Sequence, residues 1–247
     1  MKGCNCCKNR KEFGFYDLRI ENFEYGSYLN MGSVQGPVYS EDKEEQIYFC
    51  PKCGRNLIGI YTLEWLKEQI SYGREFNYTF FWGAGNFNGY LSNWYHSNFS
   101  YKGERFANCE QFMMAAKARV CGDEETREKI MRTTNPKEIK ALGREVKNYD
   151  DDLWAAERKK AVLLANYLKY TQNAGLGREL INTGNAILVE ASPYDKIWGI
   201  GMASTEDAAR NALTWKGENY LGFVLITVRD ILKGEQDLNE ILKGWDI

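Results

Sequence analysis

Glu110 and Lys117 stand seven residues apart in "NCEQFMMAAKARV" (108–120), a stretch that reads as helix. At ~100° per residue, seven steps return to nearly the same azimuth, so both charges project from one face, roughly 10 Å apart along the axis. They share that face without a salt bridge, and Phe112, Met113 and Met114 lie between them. A solvated helix face is the commoner source of such a pair. The chemical alternative is an active site, and the choice between the two has to come from elsewhere in the chain.

A second set of reactive side chains is the cysteines. Of seven, Cys4, Cys6 and Cys7 crowd the start, Cys50 and Cys53 form "YFCPKCGRNL", and Cys109 and Cys121 lie far downstream. Cys4 and Cys7 have CxxC spacing, as do Cys50 and Cys53, and two such pairs can close four thiolates around one tetrahedral zinc. Cys6 can stand in for Cys4 or Cys7. Four thiolates leave no coordination position for water, so the zinc expected here is structural; no second His/Asp/Glu cluster with ligand spacing is visible, so any catalysis is expected to use no metal or other cofactor.

Two loops complete the candidate chemistry. "FWGAGNFNGYLSNWYHSNFSYKG" (80–103) mixes Gly, Asn and Ser with aromatic rings, and "LVEASPYDKIWGIGM" (188–202) sets Asp195 and Trp198 just before a Gly-x-Gly. Ligand-binding loops need polar tips for hydrogen bonds and flat faces for stacking. Loops folded onto the core by their own aromatics are the plainer reading, and Asp195 can equally be a turn residue. His96, the only histidine, has no required part.

The elements that must hold these residues follow from pattern. With 247 residues, 44% hydrophobic and 14% aromatic, the chain can bury a full core. Its net charge of −2 argues against a broad polyanion-binding surface and leaves room only for a local basic groove. No stretch approaches the ~20 apolar residues of a bilayer span, and "MKGCNCCKNRKEFG" lacks the apolar run of a signal peptide, so the expectation is a cytoplasmic protein without a membrane partner. "EFGFYDLRIENFEYGSYLNMG" and "EEQIYFC" read as short strands with Gly turns, which makes residues 1–60 a small β-rich, zinc-ribbon-like module. "TLEWLKEQIS" (62–71) is a helix with Thr at its N-cap, within a linking segment 61–75. Residues 76–247 form the main domain. "DEETREKIMRT", "PKEIKALGREV", "DDDLWAAERKKAVLLANYLKY" and "GLGRELINTG" carry helix signals, and "AILVEAS" is a strand. "NYLGFVLITVRDIL" is helix or strand by periodicity alone, and "LNEILKGWDI" is a terminal helix. The fold class is α+β and predominantly helical.

"GYLSNW" (89–94), "CEQFMMAAKA" (109–118), "ALGREV" (141–146), "TGNAILVEAS" (183–192), "DKIWGIG" (195–201) and "NYLGFVLITVR" (219–229) resemble, in this order, the motifs of the NADAR (YbiA-like) superfamily over residues 78–232. Two departures stand out: His96 lies where the family has proline, and "WKGENYLG" replaces a more basic segment. The family has no zinc ribbon, so residues 1–60 are an accessory. The resemblance implies N-glycosidic chemistry on ribosides, at the anomeric carbon. It assigns catalytic weight to Glu110, Lys117 and Asp195, with Lys117 a Schiff-base nucleophile or, in its rival role, a phosphate clamp. Substrate-binding positions implied are Trp82, Gly83, Ser92, Asn93, Arg144, Trp198, Gly199 and Asn219. The substrate expected is guanine in nucleic acid carrying ADP-ribose. The alternatives are a phosphorylated intermediate of riboflavin synthesis, or a non-catalytic sensor of ADP-ribose or another nucleotide whose zinc ribbon contacts nucleic acid or a partner protein.

Overall fold

The computed structural model of the chain describes residues 59–245 and the backbone of three earlier strands. Those strands, β1 (Leu18–Phe23), β2 (Gly26–Met31) and β3 (Glu44–Gln46), form an antiparallel sheet in the order β1-β2-β3. Cys4, Cys7, Cys50 and Cys53, with Cys6, lie outside the described residues.

Beyond them, short polar side chains decide where helices begin. Thr62 accepts a hydrogen bond from the Trp65 backbone N–H at 3.2 Å and opens α1 (Leu63–Ser71). Strand β4 (Tyr78–Phe81) follows, then a hairpin of β5 (Phe99–Tyr101) and β6 (Glu104–Phe106). Lys102 and Gly103 make its two-residue turn with φ of 46° and 83°, the left-handed pair that such a turn demands. Asn108 caps α2 (Cys109–Val120), Asp123 caps α3 (Glu124–Arg132), and Asn135 caps α4 (Pro136–Arg144), whose proline stands in its first turn. Asp150 caps the 22-residue α5 (Asp151–Gln172). Helix α6 (Ala174–Asn182), strand β7 (Ile187–Glu190), α7 (Tyr220–Leu232) and the short α8 (Leu238–Ile241) complete the order.

Strands β4 and β7 pair in parallel, from Tyr78↔Ile187 to Phe81↔Glu190, so their C-terminal ends open at the same edge. Helix α2 is central and packs against α3, α4 and α5, while α7 lies between β7, α5 and α6. That surrounding resolves the ambiguous "NYLGFVLITVRDIL": a segment buried on nearly every side shows no amphipathic stripe, and here it is helix. Helix α7 also runs unusually close to β7. A Cβ on Gly222 would lie 2.0 Å from the Leu188 carbonyl oxygen, a contact no side chain can make. Leu63, Trp65 and Leu66 of α1 belong to the same core, and the Tyr61 hydroxyl donates to Asp230 Oδ2 at 2.6 Å. The result is a helix-rich α+β fold. Among the described residues no helix is long and apolar enough to cross a membrane.

Candidate active site

A cavity of about 220 Å³ lies where α2, α4, the end of β7 and the first turn of α7 meet the loops at 92–94 and 195–198. Glu110, in the first turn of α2, contributes a side chain to its wall although the residue is only 4% exposed. Two turns on, Lys117 reaches the same cavity, so the shared face inferred from spacing is a wall. Its ammonium donates to the Gly143 carbonyl on α4 at 2.7 Å and lies 4.1 Å from the centre of the Tyr149 ring.

The loop at 89–94 is held from below by α5. Buried Lys169 donates to the carbonyls of Tyr90 and Ser92 at 2.7 and 3.0 Å, and the Tyr170 hydroxyl adds a bond to Tyr90 at 3.1 Å. Asn166 donates to Asn93 Oδ1 at 3.0 Å, while the Asn93 carbonyl accepts the Glu110 backbone N–H at 3.1 Å. Loop and helix α2 are therefore joined at Asn93 and Glu110, both of which line the cavity. Ser92, Asn93 and Trp94 all line the cavity.

The opposite side comes from the end of β7 and the loop after it. Glu190, Asp195, Ile197 and Trp198 line it, and Lys140, Gly143 and Arg144 close the α4 side. Asp195 Oδ1 accepts the backbone N–H groups of Ile197 and Trp198 at 2.9 and 2.8 Å, which fixes the turn that carries both. Asp195 thus makes the turn and also lines the cavity. Glu190 is fixed through its backbone, since its N–H donates to Asn219 Oδ1 and its carbonyl accepts from Ile200, at 2.9 and 3.0 Å. Its Oε2 is sealed from solvent with no hydrogen-bond partner.

Burial sets the electrostatics. Loss of hydration pushes the Glu110 carboxyl up to about 7, and Asp195 adds to the rise; Lys140, a hydrogen bond from Trp94 and Arg144 oppose it. Glu190 rises further, to about 8, from burial first and then from Asp195 and Glu110, with Lys140 alone opposing. For Lys117, burial lowers the ammonium's affinity for its proton, against the pull of Cys121 and Asp151. The cavity therefore holds two acids whose protonation is adjustable near neutral pH, the condition for proton transfer in either direction, beside an amine whose hold on its proton is weakened by burial.

Of the residues expected from sequence, the cavity brings together Glu110, Lys117, Asp195, Ser92, Asn93, Arg144 and Trp198. Trp82, Gly83, Gly199 and Asn219 stand outside its wall. Trp82 is 44% exposed with its ring 6.2 Å from that of Tyr194. Asn219, at a left-handed φ of 53°, gives both amide atoms to the β7 backbone, taking Glu190 N–H and donating to Leu188 at 2.9 Å. Buried Gly199 allows close approach, since a Cβ there would lie 2.7 Å from the Glu190 carbonyl. Sequence reasoning missed Lys140, Gly143, Glu190, Met113, Met114, Ile197 and Leu221 as wall residues. The signal for Lys140 was its place one turn before Arg144 on the same helix.

The NADAR domain family's sequence profile matches residues 80–233. "N-glycosidase R617" of Acanthamoeba polyphaga mimivirus is 40% identical over 161 residues, covering 62% of this chain and 95% of that protein. "Riboflavin biosynthesis protein VVA0006" of Vibrio vulnificus is 26% identical over 160 residues, 65% of this chain and 40% of that one. The NMR structure of the E. coli protein YbiA superposes with a TM-score of 0.55 at 25% identity, covering 66% of this chain and 88% of YbiA. Since the profile spans more than half of the sequence and its domain contains every wall of the cavity, the chain belongs to the NADAR domain family.

Proposed function

We propose that the protein is an N-glycosidase that cleaves the bond between a ribose C1 and a base or amine nitrogen, and that its substrate is guanine in nucleic acid carrying ADP-ribose. The observation that carries this reading is buried Glu110 facing one cavity with Lys117. Cleaving a C–N bond to ribose develops positive charge at C1, which a carboxylate stabilises and an amine can capture. Family membership and the name of the mimivirus relative support the reaction class. A cavity of about 220 Å³ is smaller than the roughly 300–1,000 Å³ of pockets that enclose drug-sized ligands, so it suits the ribosyl end of a substrate. The diphosphate then runs over the rim, where Lys140 and exposed Arg144 meet it, the guanidinium as a fork.

The name of the Vibrio relative favours a second substrate, a phosphorylated riboside intermediate of riboflavin synthesis. Incubation with a guanine-ADP-ribosylated oligonucleotide and, separately, with that intermediate distinguishes them. Free ADP-ribose from the first supports the proposal, ribose 5-phosphate from the second alone transfers it, and tight ADP-ribose binding without turnover makes the chain a sensor. We also propose that Cys4, Cys7, Cys50 and Cys53 hold one structural zinc in a module that contacts nucleic acid or a partner protein. Metal analysis of the purified chain should then give one zinc, and its loss on replacing Cys50 and Cys53 by Ser would identify the site.

A further inference from the structure

Glu190 is the cavity's unexplained acid. It ends β7 at the edge where β4 also stops, opposite Phe81 in the parallel register. Its backbone is held on both sides, by Asn219 and by Ile200, so the side chain cannot swing away with its loop. Its Oε2 is sealed and unpartnered, while the residue still lines the cavity. A carboxylate in that setting would put charge on a sealed oxygen that accepts no hydrogen bond, which low-dielectric surroundings penalise more than they penalise a neutral carboxyl. The charged groups facing it are Glu110 on α2, Lys140 on α4 and Asp195 on the loop that follows, two of the three of its own sign.

We propose that Glu190 is the general acid of the site: its carboxyl stays protonated in the resting enzyme and gives its proton to the nitrogen that leaves the ribose C1. This deepens the N-glycosidase reading and rests on it. Cleavage of a C–N bond expels an electron pair on nitrogen, and a base nitrogen is a poor leaving group until that pair takes a proton. As the nucleophile, the Lys117 amine or water, bonds to C1, the C1–N bond breaks and its pair accepts the Glu190 proton. The proton shed by the nucleophile goes to the Glu110 carboxylate and returns through water to Glu190; one water is consumed overall. The two acids, Glu110 buried and Glu190 with one oxygen sealed, are suited to opposite tasks. Glu110 has Lys140, Arg144 and the Trp94 hydrogen bond favouring its ionised form, whereas Glu190 has Lys140 alone.

The test compares the wild-type chain with Glu190→Gln, which keeps shape and loses the transferable proton. On a guanine-ADP-ribosylated oligonucleotide the variant should lose roughly 10²-fold or more in kcat with KM within about threefold. The wild-type rate should fall on the alkaline side, and that limb should vanish in the variant. Infrared difference spectra at pH 7 should show a protonated-carboxyl band in the wild type that Glu190→Gln removes. A variant with wild-type kcat, or a slow one that keeps the alkaline limb, overturns the assignment. A missing band overturns it too while leaving the N-glycosidase reading in place, and a wild type inactive on both candidate substrates sinks that reading and the acid's role with it.

Discussion

Replacing Glu190 by glutamine should stabilise the protein at pH 7.5 and destabilise it at pH 4.5. The reasoning is one of proton linkage. Burial first, then Asp195 and Glu110, raise this carboxyl from an ordinary 4.5 to about 8 in the folded chain. A carboxyl raised on folding contributes its stability fully below the unfolded value and loses it as pH climbs toward the folded one. At pH 7.5 the unfolded chain has released the proton and the fold has largely kept it. Three pH units above 4.5, at about 1.36 kcal/mol per unit, put the penalty near ~4 kcal/mol. Glutamine abolishes it. Its amide inherits the sealed position of Oε2, where an unpaired polar group costs about 1–3 kcal/mol. The net gain at pH 7.5 is therefore roughly 1–3 kcal/mol, whereas at pH 4.5 the amide's cost stands almost alone and the wild type is favoured. Urea unfolding followed by tryptophan fluorescence at both pH values measures the difference, with unchanged m-values required. A stability difference of the same sign and size at both would refute a protonated Glu190.

Glu110→Gln should leave the far-ultraviolet circular dichroism unchanged and slow turnover by roughly 10²-fold or more, since the lost charge faces the developing cation; a fully active variant would remove Glu110 from the site. Borohydride added during turnover should leave a reduced adduct on the peptide containing Lys117, read by mass spectrometry, and Lys117→Ala should be inactive. No adduct together with an inactive alanine variant would reassign the amine to phosphate binding. Gly222→Ala should lower stability by about 2–3 kcal/mol, seen as a Tm drop of several degrees, because its Cβ meets the Leu188 carbonyl at 2.0 Å and α7 must back away from β7. An unchanged Tm would show that this contact relaxes freely.

Much of the site was legible because its spacing is local. A seven-residue interval on a helix puts two side chains on one wall whatever surrounds it, and α2 begins where Asn108 caps it. Asp195 and Trp198 were legible for the same reason, being fixed by one turn. Glu190 was not: a short apolar strand ending in an acid reads as a strand reaching solvent, and only the approach of α2 and α4 makes that end an enclosed floor. Asn219 was legible as important and not as to its task. Its amide bonds the edge of β7 that β4 does not cover, a need that follows from the sheet's having two strands among the described residues. The 80–103 stretch likewise gave its aromatics away in sequence, while its anchor, Lys169 on α5, lies 79 and 77 residues beyond the carbonyls of Tyr90 and Ser92 that it holds and is invisible without the fold.

The charges around the cavity explain why an acid should be held neutral there at all. Glu110, Asp195 and Glu190 face Lys117, Lys140 and Arg144, three potential anions against three cations. With every group ionised the wall would be balanced, and a phosphate-bearing ligand would meet no net attraction. Keeping the Glu190 proton leaves one positive charge in excess, which favours an anionic ligand at the rim while supplying the proton its leaving group requires. Delivery of that proton then cancels the excess charge. On the proposed reaction, binding strength is thereby tied to its stage: an anionic substrate would be attracted best before cleavage, and an anionic sugar product held less well in the instant after it, before solvent restores the proton.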